Sequence, residues 1–296
     1  CIRDRIKVIR EINKDLKSSK KMMRLLQGDV GCGKTIVAFL TALCVIQNNY
    51  QVAFMAPTEI LAFQHFDNFK KFFGDQDVNI EILTSKLHKD KRKLVLDNIE
   101  NGKINFIIGT HALFQEKIKF KNLGYIIIDE QHKFGVKQRI ELASKGNLNT
   151  DVLLMTATPI PRTLIITNYG DMDLSTISEK PFENNISTFL KPNDKILEVL
   201  KFIDSRIKNL DQVFWVCPII EESDKLKVKA VNERLKYLKN NTNHKIDCMH
   251  GNLNDKDRER ILSDFLNKKI NLIVCTTIVE VGIDNPNVNT IVTVSY

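Results

Sequence analysis

The chain has 296 residues, of which 43% are hydrophobic and 27% are charged, a mixture that is typical of folded globular proteins. This composition excludes a disordered tail, a collagen and a mucin-like stalk, and at ~150 residues per domain the length predicts two domains. No apolar run approaches the ~20 residues of a bilayer-crossing helix, so we expect no membrane contact. The formal net charge of +8 is compatible with a nucleic acid partner but does not require one.

The six cysteines favour a reducing compartment. No two of them have the CxxC spacing of a zinc site, and Cys44, Cys217 and Cys275 lie in apolar runs that predict buried, reduced thiols. No apolar signal segment follows the charged first residues, so we expect a cytoplasmic protein. The chain begins with Cys1 and ends inside the apolar run Ile291–Val294, so we expect both ends to be cut.

Short apolar runs alternate with amphipathic stretches in the first part of the chain. The runs predict strands at Arg24–Leu26, Val52–Ala56, Ile80–Leu83, Ile104–Gly109, Tyr125–Asp129 and Val152–Thr156. The amphipathic stretches predict helices near Ile36–Gln47, Glu59–Phe72, Lys91–Ile99 and Val136–Leu142. This alternation predicts a parallel sheet flanked by helices.

A second set of the same kind follows a proline- and asparagine-rich boundary at Lys180–Asn193. Its predicted strands are Val213–Cys217, Ile246–Met249, Leu272–Cys275 and Thr290–Val294, and its predicted helices are Ile196–Ile207, Val228–Leu238 and Asp255–Phe265. Asn254 is a candidate N-cap of the last helix, which should bury one face formed by Ile261, Leu262, Phe265 and Leu266. No internal sequence repeat is evident.

The strongest motif is a glycine-rich loop of the form GxxxxGK[ST], which follows a predicted strand and opens a predicted helix. Its residues are Gly28, Asp29, Val30, Gly31, Cys32, Gly33, Lys34 and Thr35. Such a loop directs backbone N–H groups at phosphate oxygens, the lysine neutralises phosphate charge, and the hydroxyl can bind Mg²⁺. A chance glycine-rich turn is the alternative, but the strand and helix around the loop argue against it. Cys32 is more simply a small loop residue than a reactive thiol.

A carboxylate pair, Asp129 and Glu130, directly follows the apolar run Tyr125–Ile128. Because the carboxyl ends of parallel strands share one edge of a sheet, the pair should lie near the phosphate loop. Asp129 is then the candidate Mg²⁺ ligand and Glu130 the residue that polarises the attacking water. An acidic turn on the protein surface is the alternative.

Polar clusters also follow other predicted strands. Hydroxyl groups and helix N-termini suit phosphate contacts, although each cluster taken singly resembles an ordinary turn or helix cap. The clusters contain Pro57 and Thr58, Thr156 and Thr158, and Thr276 and Thr277. The histidines have no neighbouring metal ligands in the sequence, so polar contacts are the simpler interpretation of His65, His88, His111, His132, His244 and His250.

Together these motifs resemble superfamily 2 helicases, and among them the helicases that act on branched DNA. The resemblance covers nearly the whole chain. It is carried by the strings RLLQGDVGCGKT, MAPTEILAFQH, GTHALFQE, IIDEQHKFGVKQR, LMTATPIPRTL, VCPIIEESD and TTIVEVGIDNPN. The transcription–repair coupling translocases are the alternative within the superfamily. They usually have a second Glu where this chain has Gln131, and they lack the VCPIIEES run.

The resemblance implies an α/β fold of two RecA-like P-loop lobes, residues 1–183 and 184–296, with parallel sheets flanked by helices and an incomplete second lobe. It implies ATP and Mg²⁺ between the lobes, branched or single-stranded DNA as partner, and a monomer. By resemblance, the further ATP-facing residues are Gln131, Gly282 and Asp284, with Glu280 beside them. The implied coupling residues are His132, Thr156 and Thr158. The implied DNA contacts are Pro57, Thr58, Thr110, His111, Thr276 and Thr277.

The chain departs from the family pattern in four places. The 296 residues include no segment that resembles the family's branch-recognising domain, Arg3-Asp4-Arg5 stands where the family usually has an adenine-reading glutamine, and Phe63 replaces a usually polar residue. The chain also stops before the arginine-finger segment, so we expect it to bind Mg²⁺-ATP, hydrolyse it slowly and not unwind processively. The alternatives are a remnant or split subunit that binds ATP or DNA with little turnover, and, less well supported, a small-molecule P-loop kinase.

Overall fold

The computed structural model describes residues 2–74, 78–85, 87–110, 113, 118–130, 150–158, 172–179, 186–217, 224–250, 253–276 and 288–294. The chain divides into two compact units, Cys1–Asn185 and Ile186–Tyr296. The helix predicted at Val136–Leu142 lies outside the described residues.

The first unit is a parallel sheet with helices between its strands. The strands are β1 Met23–Gly28, β2 Gln51–Met55, β3 Ile80–Leu83, β4 Phe106–Gly109, β5 Leu123–Ile128, β6 Asp151–Thr156 and β7 Asp173–Ile177. The described helices are α1 Ile2–Leu16, α2 Lys34–Ile46, α3 Glu59–Phe73 and α4 Lys89–Glu100. The strand order is β3-β4-β2-β5-β6-β1-β7, and every pairing is parallel.

Both faces of this sheet are buried, as expected for parallel strands with helical crossovers. One face carries an aromatic cluster in which Phe39 of α2 and Phe69 of α3 contact Phe54 and Phe106 of the sheet or each other. The other face packs aliphatic strand residues against Val95 and Ile99 of α4. The predicted parallel α/β fold is therefore confirmed.

Helix α1 and strand β7 extend the predicted architecture, and Arg24 joins them to the sheet. The guanidinium of Arg24, which is 7% exposed, donates to Asp15 Oδ2 of α1 at 2.6 and 2.8 Å and to Ser175 Oγ of β7 at 2.8 Å. Val8 and Ile12 bury the apolar face of α1. The run that forms β7 has only two apolar residues, Leu174 and Ile177, and the polar Ser175 is buried between them, so no apolar run marked this strand.

The second unit contains a smaller parallel sheet. Its strands are β8 Gln212–Val216, β9 Ile246–Met249, β10 Leu272–Cys275 and β11 Val288–Thr293, in the order β11-β8-β10-β9. Its helices are α5 Ile196–Lys208, α6 Asp224–Asn241 and α7 Asp255–Leu266. Trp215 is fully buried in β8.

The start of α7 confirms one local prediction, and its end corrects another. The side chain of Asn254 accepts a hydrogen bond from the Asp257 N–H at 2.8 Å, so Asn254 is the N-cap of α7. Ile261 and Phe265 are buried as predicted. Leu266 is 45% exposed instead of lying on the buried face, because it is the last residue of the helix.

The two units share a short sequence repeat, so the expectation that the chain has no internal repeat is wrong. NGKINFIIGT at residues 101–110 and NKKINLIVCT at residues 267–276 occupy the same place, a turn followed by β4 or β10. Gly102 and Lys268 both have left-handed backbone conformations, with φ of 72° and 59°. A positive φ is favourable for glycine and strained for lysine. The two copies therefore have the same backbone conformation at this position although their residue types differ.

A buried glutamine closes each copy of this turn. Gln51 and Gln212 are the first residues of β2 and β8, and each side-chain amide donates to two carbonyls that flank the turn. The acceptors are Ile99 and Ile104 at 2.9 and 2.8 Å, and Phe265 and Ile270 at 2.6 and 2.8 Å. The two units therefore share this construction as well as parallel topology.

Asp151 predicts a pH dependence of stability. Burial raises the pKa of this carboxyl to about 6, although the Met22 N–H donates to it at 2.7 Å. Because the folded state binds this proton more tightly than the unfolded state does, protonation of Asp151 adds to the free energy of unfolding. The added free energy is complete below the unfolded pKa of ~4 and is lost as pH rises through about 6. We expect Asp151→Asn to flatten the pH dependence of the unfolding midpoint between about pH 4 and 6. If denaturant titrations show the same pH dependence of the unfolding midpoint in Asp151→Asn and in the parent, this assignment is wrong.

The prediction of three buried cysteines is wrong for Cys44. Cys217 and Cys275 are fully buried, but Cys44 is exposed because it lies on the outer side of α2. The described cysteines are all free thiols. Among the described residues, no helix is both long and apolar enough to cross a lipid bilayer.

Candidate active site

The candidate residues of the first unit converge at one edge of its sheet. Strands β4, β2, β5, β6 and β1 are neighbours in that order and run in the same direction. Their carboxyl ends lead into Thr110, Pro57, Asp129, Thr156 and the phosphate loop. The carboxyl edge of a parallel sheet is where α/β proteins place their ligands.

The phosphate loop connects β1 to α2 through backbone conformations that favour glycine. Gly31 and Gly33 have φ of 78° and 96°, and Gly33 is the N-cap of α2. Gly28 is required for close packing, because a Cβ there would lie 2.6 Å from Cys32 Sγ and 3.0 Å from the Ile177 carbonyl oxygen. Asp29 and Val30 form the exposed turn of the loop, where Asp29 Oδ1 accepts the Val30 N–H at 2.8 Å.

Lys34 extends its side chain back into this loop. Its ammonium donates to the carbonyl oxygens of Gly28 at 2.6 Å and Asp29 at 3.0 Å, and the residue is 8% exposed. A phosphate bound by the loop would meet a cation that is already inside the loop. Thr35 follows in the first turn of α2 and is half-buried.

Cys32 is buried within the loop, and burial raises the pKa of its thiol. The thiolate is the reactive form of cysteine, so this environment opposes reactivity. The structure thus supports the interpretation of Cys32 as a small loop residue.

The carboxylate of Asp129 is held on both oxygens. Oδ1 accepts the Glu130 N–H at 3.0 Å, and Oδ2 lies 3.0 Å from Nε2 of His65. The Asp129 N–H donates to the Met55 carbonyl oxygen at 2.9 Å, which fixes its backbone beside β2. Since Asp129 is 8% exposed, the alternative of an acidic surface turn is wrong for it.

Glu130 follows with φ of 46°, a conformation that non-glycine residues rarely adopt. Such backbone strain clusters at functional sites, where the surrounding structure enforces it. The chain therefore bends at Asp129 and Glu130, directly after β5.

His65 is the site residue that sequence reasoning missed. The sequence shows no ligand near it, yet α3 places it against Asp129, 64 residues away along the chain. Leu61, Ala62 and Phe69 share the buried face of α3 with it. A histidine at a helical spacing from the apolar residues of a predicted helix was the available signal, and it did not identify the partner.

Thr156 and Thr158 are hydrogen-bonded to each other. Their hydroxyl oxygens are 2.9 Å apart, and the Thr158 N–H donates to Thr156 Oγ1 at 3.2 Å. Thr156 pairs with Gln27 of β1, the residue before Gly28, so the threonine pair lies beside the start of the phosphate loop.

The predicted DNA-contacting residues of the first unit flank the same edge. Thr58 is the N-cap of α3, where its side chain accepts the Leu61 N–H at 3.3 Å, and Pro57 precedes it. Thr110 is 7% exposed at the end of β4. Thr110 therefore offers little side-chain surface of its own, whereas Thr58 has a structural role in any case.

In the second unit, Thr276 directly follows β10 as Thr110 directly follows β4, in matching positions of the repeat. It is 5% exposed. Several predicted site residues lie outside the described residues: His111, Gln131, His132, Thr277, Glu280, Gly282 and Asp284.

The donor set fits Mg²⁺. This ion takes oxygen ligands and is usually held by one or two side chains together with substrate phosphates and water. Thr35 supplies a hydroxyl beside the phosphate loop, and Asp129 supplies a carboxylate whose orientation is fixed by two hydrogen bonds. When bound, Mg²⁺ would neutralise phosphate charge.

The chain is similar to known helicases over nearly its whole length. The DEAD/DEAH box helicase family matches residues 6–165, and the helicase conserved C-terminal domain matches residues 194–296. The ATP-dependent DNA helicase RecG of Aquifex aeolicus is 44% identical over 97% of this chain, and RecG of Bacillus subtilis is 43% identical over 95%. A structure of RecG bound to a three-way DNA junction is 37% identical over 98% of this chain, with a TM-score of 0.79.

The chain spans only part of each of these proteins. It covers 36% of the A. aeolicus protein, 42% of the B. subtilis protein and 38% of the chain in the junction complex. The likeness therefore concerns the two helicase domains.

Proposed function

Because the chain belongs to the DEAD/DEAH box helicase family, we propose that it is the motor part of an ATP-dependent DNA helicase that acts on branched DNA. The observation that carries this proposal is the shared sheet edge on which Lys34, Asp129 and the Thr156–Thr158 pair follow neighbouring strands. The RecG relatives support DNA as the substrate, and the junction complex supports branched DNA.

In this proposal each residue has a defined task in ATP hydrolysis. The phosphate loop binds the β- and γ-phosphates through its N–H groups and Lys34. Thr35 and Asp129 hold Mg²⁺, and Glu130 orients the attacking water and accepts its proton. His132, Thr156 and Thr158 couple the state of the nucleotide to movement, and Gln131, Gly282 and Asp284 complete the nucleotide contacts.

DNA would be bound through its phosphates. Pro57, Thr58, Thr110, His111, Thr276 and Thr277 remain the proposed contacts. Hydroxyl and backbone groups contact phosphates without reading bases, so binding should be nearly independent of sequence. A motor that acts on DNA in this way would work in the cytoplasm, and we propose that location and a monomeric state for the chain.

The test is ATP hydrolysis by the 296-residue chain with and without DNA. We expect slow Mg²⁺-dependent hydrolysis that DNA accelerates. We also expect the logarithm of the DNA affinity to fall linearly with the logarithm of salt concentration, because phosphate binding releases counterions. Forked, single-stranded and linear duplex DNA of matched length should be compared in one buffer.

Two outcomes would count against the proposal. Hydrolysis that no DNA accelerates would leave a nucleotide-binding module instead of a motor. Binding that distinguishes sequences strongly would show that base edges are read, against the proposed phosphate contacts.

A further inference from the structure

His65 lies inside the first unit, between α3 and the sheet edge. It is 7% exposed, and its Nε2 is 3.0 Å from Oδ2 of Asp129, which is 8% exposed. Thr58 caps the helix that carries it. The contact joins two buried polar groups that come from different elements.

Aromatic packing fixes the orientation of the imidazole ring. The ring of Phe54 lies 4.7 Å from the His65 ring between centroids, and that of Phe39 lies 6.3 Å away in an edge-on arrangement at 88°. Both phenylalanines are fully buried. The imidazole therefore has little freedom to turn away from Asp129.

The hydrogen-bonding pattern assigns the ring proton. An ionised carboxylate can only accept, so Nε2 carries the hydrogen and donates to Oδ2. Nδ1 is buried and has no hydrogen-bond partner among the described residues, so Nε2 makes the ring's one described hydrogen bond.

We propose that His65 is a positioning residue for the Asp129 carboxylate. The inference rests on the proposed function, in which Asp129 holds Mg²⁺. The Glu130 N–H donates to Oδ1 and His65 donates to Oδ2, so the plane of the carboxylate is fixed while lone pairs remain for the metal. Partners of this kind orient metal ligands, and losing them typically weakens metal binding by ~10–100-fold.

The test compares two substitutions of similar size at one position. His65→Gln places an amide N–H close to the original Nε2, whereas His65→Met fills the same space without a donor. Binding of Mn²⁺, as a paramagnetic substitute for Mg²⁺, is measured by electron paramagnetic resonance with a non-hydrolysable ATP analogue present. We expect His65→Met to weaken Mn²⁺ binding by about 10–100-fold and His65→Gln to restore most of the loss.

The second unit offers a matched control. His244 Nε2 lies 3.0 Å from Asp204 Oδ1, the same kind of contact between residues that have no part in the proposed metal site. His244→Met should leave Mn²⁺ binding unchanged. If His65→Met does not fold, His65→Asn replaces it, since its shorter amide lies at the position of Nδ1 and cannot reach Oδ2.

Asp129→Asn separates failure of the inference from failure of the proposed function. If Asp129→Asn weakens Mn²⁺ binding but His65→Met and His65→Gln both match the parent, His65 does not position the carboxylate. If Asp129→Asn binds Mn²⁺ like the parent, Asp129 is not a ligand and the proposed metal site is wrong.

Discussion

Lys34→Ala should remove most of the affinity for ATP. The Lys34 ammonium lies within the phosphate loop, 2.6 Å from the Gly28 carbonyl oxygen, where it would balance the charge of a bound phosphate. Truncating one partner of a buried charged pair costs about 2–5 kcal/mol, because the other charge is left without compensation. At 1.4 kcal/mol for each factor of ten, the dissociation constant should rise about 30- to 4,000-fold.

A fluorescent nucleotide titration measures this effect, and two variants control it. Lys34→Met keeps the aliphatic bulk and should lose nearly as much affinity as Lys34→Ala. Lys20→Ala removes an exposed lysine away from the loop and should bind ATP as the parent does. If Lys34→Ala keeps parental affinity while melting at the parental temperature, the loop is not a phosphate site.

Local patterning was sufficient to predict the fold and most of the sheet edge. Strands Ile80–Leu83 and Leu272–Cys275 were predicted with the bounds that the structure shows. Leu272–Cys275 is a continuous apolar run because a parallel strand buried on both faces needs apolar residues at every position. The phosphate loop was identifiable since its glycines answer a local backbone requirement, the positive φ of Gly31 and Gly33.

Features that depend on distant contacts escaped prediction. Strand β7 has exposed residues at both of its first positions, and its place in the sheet follows from pairing with β1 and from the Arg24–Ser175 hydrogen bond. The contact between His65 and Asp129 crosses 64 residues and is created by the packing of α3. No pattern within either segment states which histidine meets which carboxylate.

The repeat shows a different limit. The turns at Gly102 and Lys268 have the same left-handed backbone but residues of opposite conformational preference. A comparison of residue types alone undervalues such a pair, whereas the shared run of lysine, isoleucine and asparagine after each turn was visible in the sequence. Equivalent positions in the two copies make Thr110 and Thr276 a natural pair for double-mutant analysis of DNA binding.

Glu130→Gln should stop hydrolysis while leaving ATP affinity within about twofold of the parent. The substitution keeps the shape of the side chain and removes only the group that can accept a proton from the attacking water. General-base catalysis contributes typically 10²–10⁴-fold, and we expect the single-turnover rate to fall within this range. Affinity should persist because Lys34 and the loop N–H groups contact the phosphates independently of Glu130.

The backbone conformation at Glu130 lets Glu130→Gln test the carboxylate alone. Its φ of 46° is strained for glutamate and for glutamine alike, so the exchange neither relieves nor adds strain, whereas Glu130→Gly would change both the side chain and the backbone preference. Glu100→Gln, at the exposed end of α4, controls for the loss of one negative charge. Parental hydrolysis by Glu130→Gln would show that another group activates the water. Loss of ATP binding together with hydrolysis would instead give Glu130 a role in holding the nucleotide.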